Sequence, residues 1–113
     1  TEPQDLDINR FEKEYLDSIG LIPEIISRYR CTYFNHIMSQ YAAGYYGYIW
    51  SGVLDSDAFE AFKETSLFDQ KTAESFRKNV LAVNGTRDYM TMYVNFRGRE
   101  PRIEPLLKKR GLQ

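Results

Sequence analysis

Between Tyr33 and Trp50 the chain reads YFNHIMSQYAAGYYGYIW, eighteen positions that hold its only histidine, its only tryptophan and five of its nine tyrosines. At about 100° per residue, a helix beginning near Gln40 would set Tyr41, Tyr45 and Tyr48 at i, i+4 and i+7 on one stripe. Ala42, Tyr46, Ile49 and Val53 would make a second stripe, and Ala43, Trp50 and Leu54 a third beside it. A helix that is apolar nearly all round belongs in an interior. The simplest reading is that these aromatic residues are core. Two stripes already suffice for core contacts, however, and three phenol hydroxyls on the remaining one need partners if they are buried. That face is expected to look into a pocket or across a substrate channel, with His36 close to the same surface. Gly44, Gly47 and Gly52 each cost a helix interior about 1 kcal/mol relative to alanine, which implies a packing or functional reason such as the approach of another backbone.

The rest of the chain is punctuated as helices. Asp7 suits an N-cap, Ile8, Phe11, Tyr15 and Ile19 share a side, and Gly20 suits the residue that ends the helix. Pro23 fits the first turn of a second short helix through Ile25, Ile26 and Tyr29. The following YRCTYFNHIM is rich in aromatic and β-branched residues and predicts a brief extended segment. The central helix is expected from Gln40 to Glu64, with a bend or break at Asp55, Ser56 and Asp57. Asp69 then caps a helix through Ala73, Phe76, Val80 and Leu81, and Asn84-Gly85 makes a turn. Asp88 caps a helix bearing Met90, Met92, Tyr93 and Phe96 that stops at Gly98. A last helix runs from Ile103 to Arg110, with Leu106 and Leu107 inward and basic residues near its C-terminus, where the helix dipole favours them. No strand pattern of any length and no repeat is present, so the class is all-α.

Composition narrows the function classes. The chain has 113 residues, one domain's worth or a piece of one, with a formal net charge of −1. No global field draws in nucleic acid, and no stretch approaches a transmembrane span. Arg97, Arg99, Arg102, Lys108, Lys109 and Arg110 make the last stretch basic, and that run reads as a solvated helix face. Cys31 is the single cysteine, which rules out an internal disulfide framework and a cysteine metal cluster, and it reads as a small core residue. Asp55 and Asp57, at i and i+2, point apart on a helix and so do not form a paired acid/base or metal site. They read as helix-break or hydrogen-bonding residues. Arg97 and Arg99 are expected to pack against neighbouring acids rather than hold a substrate carboxylate. The opening TEPQDLD has neither an initiator methionine nor a signal peptide, and the expectation is a chain cut from something longer.

Taken together, the HI dipeptide, the YAAGYYGYIW run, the downstream LDSDAFEAFKE and the closing FRGREPRIEPLLKKRGL resemble the C-terminal end of the thimet oligopeptidase and peptidyl-dipeptidase family of zinc metallopeptidases, most nearly its bacterial peptidyl-dipeptidase branch. The resemblance covers about Tyr29 to Leu112. It implies that residues 1–113 are a single helical domain or fragment, the C-terminal part of a peptidase catalytic domain whose zinc-binding half lies upstream. Enzymes of this family hold zinc with HExxH on a helix and a further glutamate. None of these motifs occurs here, so zinc would belong to the full-length parent, with ligands outside this sequence, and the chain alone would be inactive.

What the resemblance assigns to this chain is the wall facing the metal. It implies Tyr48 as the donor to the oxyanion that forms when the peptide carbonyl is attacked, a role worth about 3–4 kcal/mol. It implies His36 as a contact to substrate backbone, Tyr45 as a primed-side contact near the free carboxylate that a dipeptide-releasing enzyme must recognise, and Tyr41 as a third substrate contact. The family usually has a glycine-rich, mobile loop between the histidine and the first tyrosine, whereas Ile37, Met38, Ser39 and Gln40 contain no glycine. Short peptides and the upstream part of the same polypeptide are the implied partners, with no nucleic acid and no membrane. The compartment is expected to be cytoplasmic, with periplasm as the alternative, and exposed aromatic surface should make the isolated fragment self-associate. The competing reading is a non-catalytic helical module whose tyrosine face binds a protein or peptide.

Overall fold

The structure, a computed structural model, describes residue 2 and residues 4–113. Among them there are helices and turns but no strand. The elements are α1 (Ile8–Ser18), α2 (Asn35–Met38), a 3-10 turn (Ala42–Tyr46), α3 (Gly47–Glu64), α4 (Gln70–Phe76) continued by a π turn (Arg77–Leu81), α5 (Tyr89–Arg97) and α6 (Glu104–Lys109). They fall into two compact units, Thr1–Tyr45 and Tyr46–Gln113.

In the first unit, α1 begins where the Asp7 carboxylate accepts the amides of Asn9 and Arg10 at 3.0 and 3.2 Å and ends before Gly20, whose φ of 76° needs glycine. Glu12 on α1 anchors the return of the chain. It accepts the Cys31 amide at 3.0 Å and pairs with Arg30, while Arg30 also donates to the Asn9 side chain at 3.1 Å. Burial acts to raise the Glu12 pKa, but the bond from the Cys31 amide is the largest influence, and with Arg30 it holds the carboxyl below its ordinary range. Cys31 is half-buried rather than a core residue. The helix expected after Pro23 does not form: residues 21–34 are turns, and the extended segment expected in YRCTYFNHIM is replaced by turns and by the single helical turn of α2. The apolar side of α1 is exposed, with Phe11 at 48% and Tyr15 at 58%, so propensity and periodicity there are satisfied without a core.

The second unit holds the core. Val53 and Ala61 of α3, Met92 and Tyr93 of α5 and Leu106 of α6 are buried, and α3 packs against α6 and α4. Rings of Phe62, Phe76 and Phe96 join α3, α4 and α5, with centroids 6.3 and 5.1 Å apart. A Cβ on Gly52 would lie 3.7 Å from the Leu106 side chain, an ordinary packing contact, and the backbone approach expected at Gly44, Gly47 and Gly52 is not found among the described residues. Asp69 and Asp88 cap α4 and α5 through the amides of Thr72 and Thr91, at 2.7 and 2.8 Å, and α5 stops at Gly98 with φ 76°. The π turn is marked by the Asn79 amide donating to the Ser75 carbonyl and hydroxyl, a side chain competing with the helix ladder.

The central helix departs from its expected bounds. It starts at Gly47, not Gln40, because Ala42 takes a left-handed φ of 43° and residues 42–46 wind as a 3-10 turn. It then runs unbroken to Glu64, without the bend expected at residues 55–57. Of the two stripes expected to be core, only Val53 is buried; Tyr46, Ile49 and Trp50 are exposed at 70%, 57% and 46%. None of the helices is long and apolar enough to cross a membrane among the described residues.

Candidate functional site

His36 sits in α2, where the chain has just left the turns that follow α1. Four residues cannot hold a helix by themselves, since nucleation alone is unfavourable. Ring contacts hold it instead. The imidazole lies 5.5 Å from the Tyr41 ring in a stacked arrangement and 5.0 Å from the Tyr45 ring, and the two phenol rings meet edge to face at 5.9 Å. Pairs of this geometry contribute about 0.5–1.5 kcal/mol beyond area burial. Phe34 supports the group from behind, 6.1 Å from His36 and 5.0 Å from Tyr45, and stacks at 5.2 Å on Tyr29.

The turn that joins His36 to the tyrosines is local chemistry. Ser39 and Gln40 reverse the chain, Ala42 takes the left-handed conformation, and the Gly44 amide donates to the Tyr41 carbonyl at 2.7 Å. Tyr41 and Tyr45 therefore meet across a turn, and the helical i, i+4 spacing does not explain their contact. Phe34 and Tyr29, which complete the cluster, escaped the helical-spacing argument because they precede the turn; the density of rings between Tyr29 and Tyr45 was the available signal.

His36, Tyr41 and Tyr45 are thus brought together in the first unit. Tyr48 belongs to the second, on the first turn of α3, 56% exposed. The α3 start has no side-chain cap, and the densest polar contacts of the helix lie further along. There Asp57, fully buried, accepts two bonds from the Arg99 guanidinium at 2.7 and 2.9 Å and one from the Tyr93 hydroxyl at 2.5 Å. Arg97 donates to the Asp57 backbone carbonyl at 3.3 Å and holds Glu64 through two bonds at 2.5 and 2.8 Å. Burial pushes the Asp57 carboxyl up, but the Arg99 and Tyr93 bonds and the charges of Arg99 and Arg97 outweigh it and leave it below the ordinary range. Burial and the Asp57 carboxylate push the Tyr93 phenol well up. Asp55, by contrast, points to solvent and pairs with Lys109 at 3.2 Å, so the two aspartates do point apart.

Among the described residues no three His, Cys, Asp or Glu side chains gather to hold a metal ion, and the chain has one histidine. Its donors do not fit a zinc site.

This all-α segment, with an imidazole beside two phenols in its first unit and a third phenol at the head of its longest helix, has a sequence that parallels those of known peptidases. The pattern of Peptidase family M3 matches residues 1–112. Oligopeptidase A of Escherichia coli (strain K12) is 42% identical over 81 residues, 71% of this chain and 12% of that protein. Dipeptidyl carboxypeptidase of Salmonella typhimurium is 38% identical over 107 residues, 93% of this chain and 16% of that protein. The probable cytosolic oligopeptidase A of Arabidopsis thaliana is 43% identical over 95 residues, 80% of this chain and 13% of that protein. The chain belongs to Peptidase family M3, the thimet oligopeptidase and peptidyl-dipeptidase family, and spans no more than 16% of the length of these three relatives.

Proposed function

We propose that this chain is the C-terminal, substrate-facing part of a zinc-dependent peptidase that hydrolyses short peptides, and that both units contribute to one catalytic domain. The observation that carries the reading is the match of the M3 pattern to residues 1–112, joined to the ring cluster of His36, Tyr41 and Tyr45. In this reading His36, Tyr41 and Tyr45 bind substrate. Aromatic rings offer apolar contact to peptide side chains, and imidazole and phenol groups can donate to a peptide carbonyl or accept from an amide. Tyr48 is the donor to the developing oxyanion. Zinc belongs to the full-length enzyme, with ligands outside these residues. The compartment is the cytoplasm, as the name of one Arabidopsis thaliana relative has it, although a second, equally identical over 95 residues, is named chloroplastic/mitochondrial.

Incubation of the full-length protein with short peptides, followed by mass analysis of the products, tests the reading. Cleavage that stops with a metal chelator and returns with added zinc is the expected result. Release of C-terminal dipeptides would place it with the dipeptidyl carboxypeptidase relative, and cuts at internal bonds with the oligopeptidases. Peptide binding without cleavage by a zinc-loaded full-length protein would overturn it.

A further inference from the structure

We infer that Asp57, with Tyr93 and Arg99, is a positioning group for Tyr48, fixing the rotation of α3 about its own axis. The inference rests on the reading of Tyr48 as oxyanion donor. α3 runs from Gly47 to Glu64, and its N-terminal end, where Tyr48 stands, has no side-chain cap and is entered from a 3-10 turn. Asp57 follows Tyr48 by nine residues, which on an α-helix is about 900°, the opposite face. It is fully buried, while Tyr48 is 56% exposed.

Val53 and Ala61 lie one turn before and after Asp57 on the buried face, and with Phe62 and the Gly52–Leu106 approach they give α3 apolar contacts that carry no directional bond against rotation. A carboxylate held by three bonds does not tolerate it. The fork of Arg99 spans both carboxylate oxygens, and the Tyr93 hydroxyl fixes one of them from α5. Rolling α3 would break charge-assisted bonds to a carboxylate that is itself fully buried, where an unpaired charge is costly. Arg97 adds a second clamp on the same helix through the Asp57 carbonyl and Glu64. The exposed face at the helix head is thereby aimed from the buried face near its middle. An oxyanion donor needs such support, because a displacement of about 1 Å from the productive geometry loses catalysis about 100-fold.

The test is a double-mutant cycle in the full-length, zinc-loaded enzyme with a short peptide substrate. Tyr93→Phe removes one bond to Asp57 and keeps the packed ring, and Arg99→Lys removes the fork and keeps the charge; both are read beside Asp57→Asn, the variant most at risk of failing to fold. Expected is a fall in kcat of about 3- to 10-fold for Tyr93→Phe with KM unchanged, shrinking to less than about 2-fold in the Tyr48→Phe background. Equal losses in both backgrounds would show a clamp that acts only on stability and would overturn the inference while leaving the oxyanion reading intact. Unchanged kcat for Tyr93→Phe and Arg99→Lys would overturn it likewise. If Tyr48→Phe alone leaves kcat unchanged, the oxyanion reading fails and the inference fails with it.

Discussion

Ala42 is the residue on which the geometry around His36 turns. Its φ of 43° is the only left-handed value at a non-glycine position among the described residues. An L-residue held there costs about 1–2 kcal/mol, and glycine would avoid that cost while losing about 0.5–1 kcal/mol more chain entropy on folding. Ala42→Gly is therefore expected to stabilise the chain by about 0.5–1 kcal/mol. A urea midpoint that rises checks this, and one that falls means that the left-handed turn is not the folded conformation. The same residue explains a failed expectation. Helical spacing suggested one stripe for Tyr41, Tyr45 and Tyr48, yet Tyr41 lies outside any helix, because spacing in sequence carries no sign of one alanine in an unusual conformation. That His36 would share a surface with Tyr41 and Tyr45 was legible, and the contact is made through a turn in place of a helix face.

Helices with local start and stop signals were readable at the scale of the element. Asp7 with Gly20, Asp69, and Asp88 with Gly98 all act where the sequence placed them, since a cap and its amides are two or three residues apart. Pro23 offered a start without an amphipathic face to bury, and no helix followed. The unbroken course of α3 through Asp57 was not legible, because what stabilises a charge at mid-helix comes from Tyr93 and Arg99, 36 and 42 residues further on. The pairing of Arg97 and Arg99 with acids was anticipated as a class of contact, though not with which acid. Asp57 also gives α3 a pH dependence. Its folded pKa lies below the unfolded value of about 3.9, so its stabilising contribution is fully present above that value and is lost as pH falls through the folded pKa. Asp57→Asn should lower stability by about 3 kcal/mol at neutral pH, since it removes the charge that the half-buried Arg99 fork binds and leaves a neutral amide in its place. It should also flatten the loss of stability below about pH 4. Urea unfolding at pH 7 and pH 3 checks both, and equal midpoints for the two proteins at pH 7 would contradict the account.

At the scale of the whole molecule, the all-α class and the family were legible in the sequence, because runs such as YAAGYYGYIW keep order and spacing over most of the chain. The division after Tyr45 was not, since it falls inside the densest aromatic run. Much apolar surface is exposed, with Phe68 at 87%, Ile26 at 84% and Tyr46 at 70%. Isolated chain is therefore expected to self-associate and to bind an apolar dye; a strictly monomeric sedimentation profile at high concentration, with no dye binding, would contradict this. The central claim concerns what Tyr48 and Tyr45 do in the complete enzyme. Steady-state kinetics of Tyr48→Phe and Tyr45→Phe, compared on one short peptide, test it most directly. The account predicts a fall in kcat of about 10²- to 10³-fold with little change in KM for Tyr48→Phe, and a larger effect on KM than on kcat for Tyr45→Phe. Full kcat in folded, zinc-loaded Tyr48→Phe enzyme would contradict it.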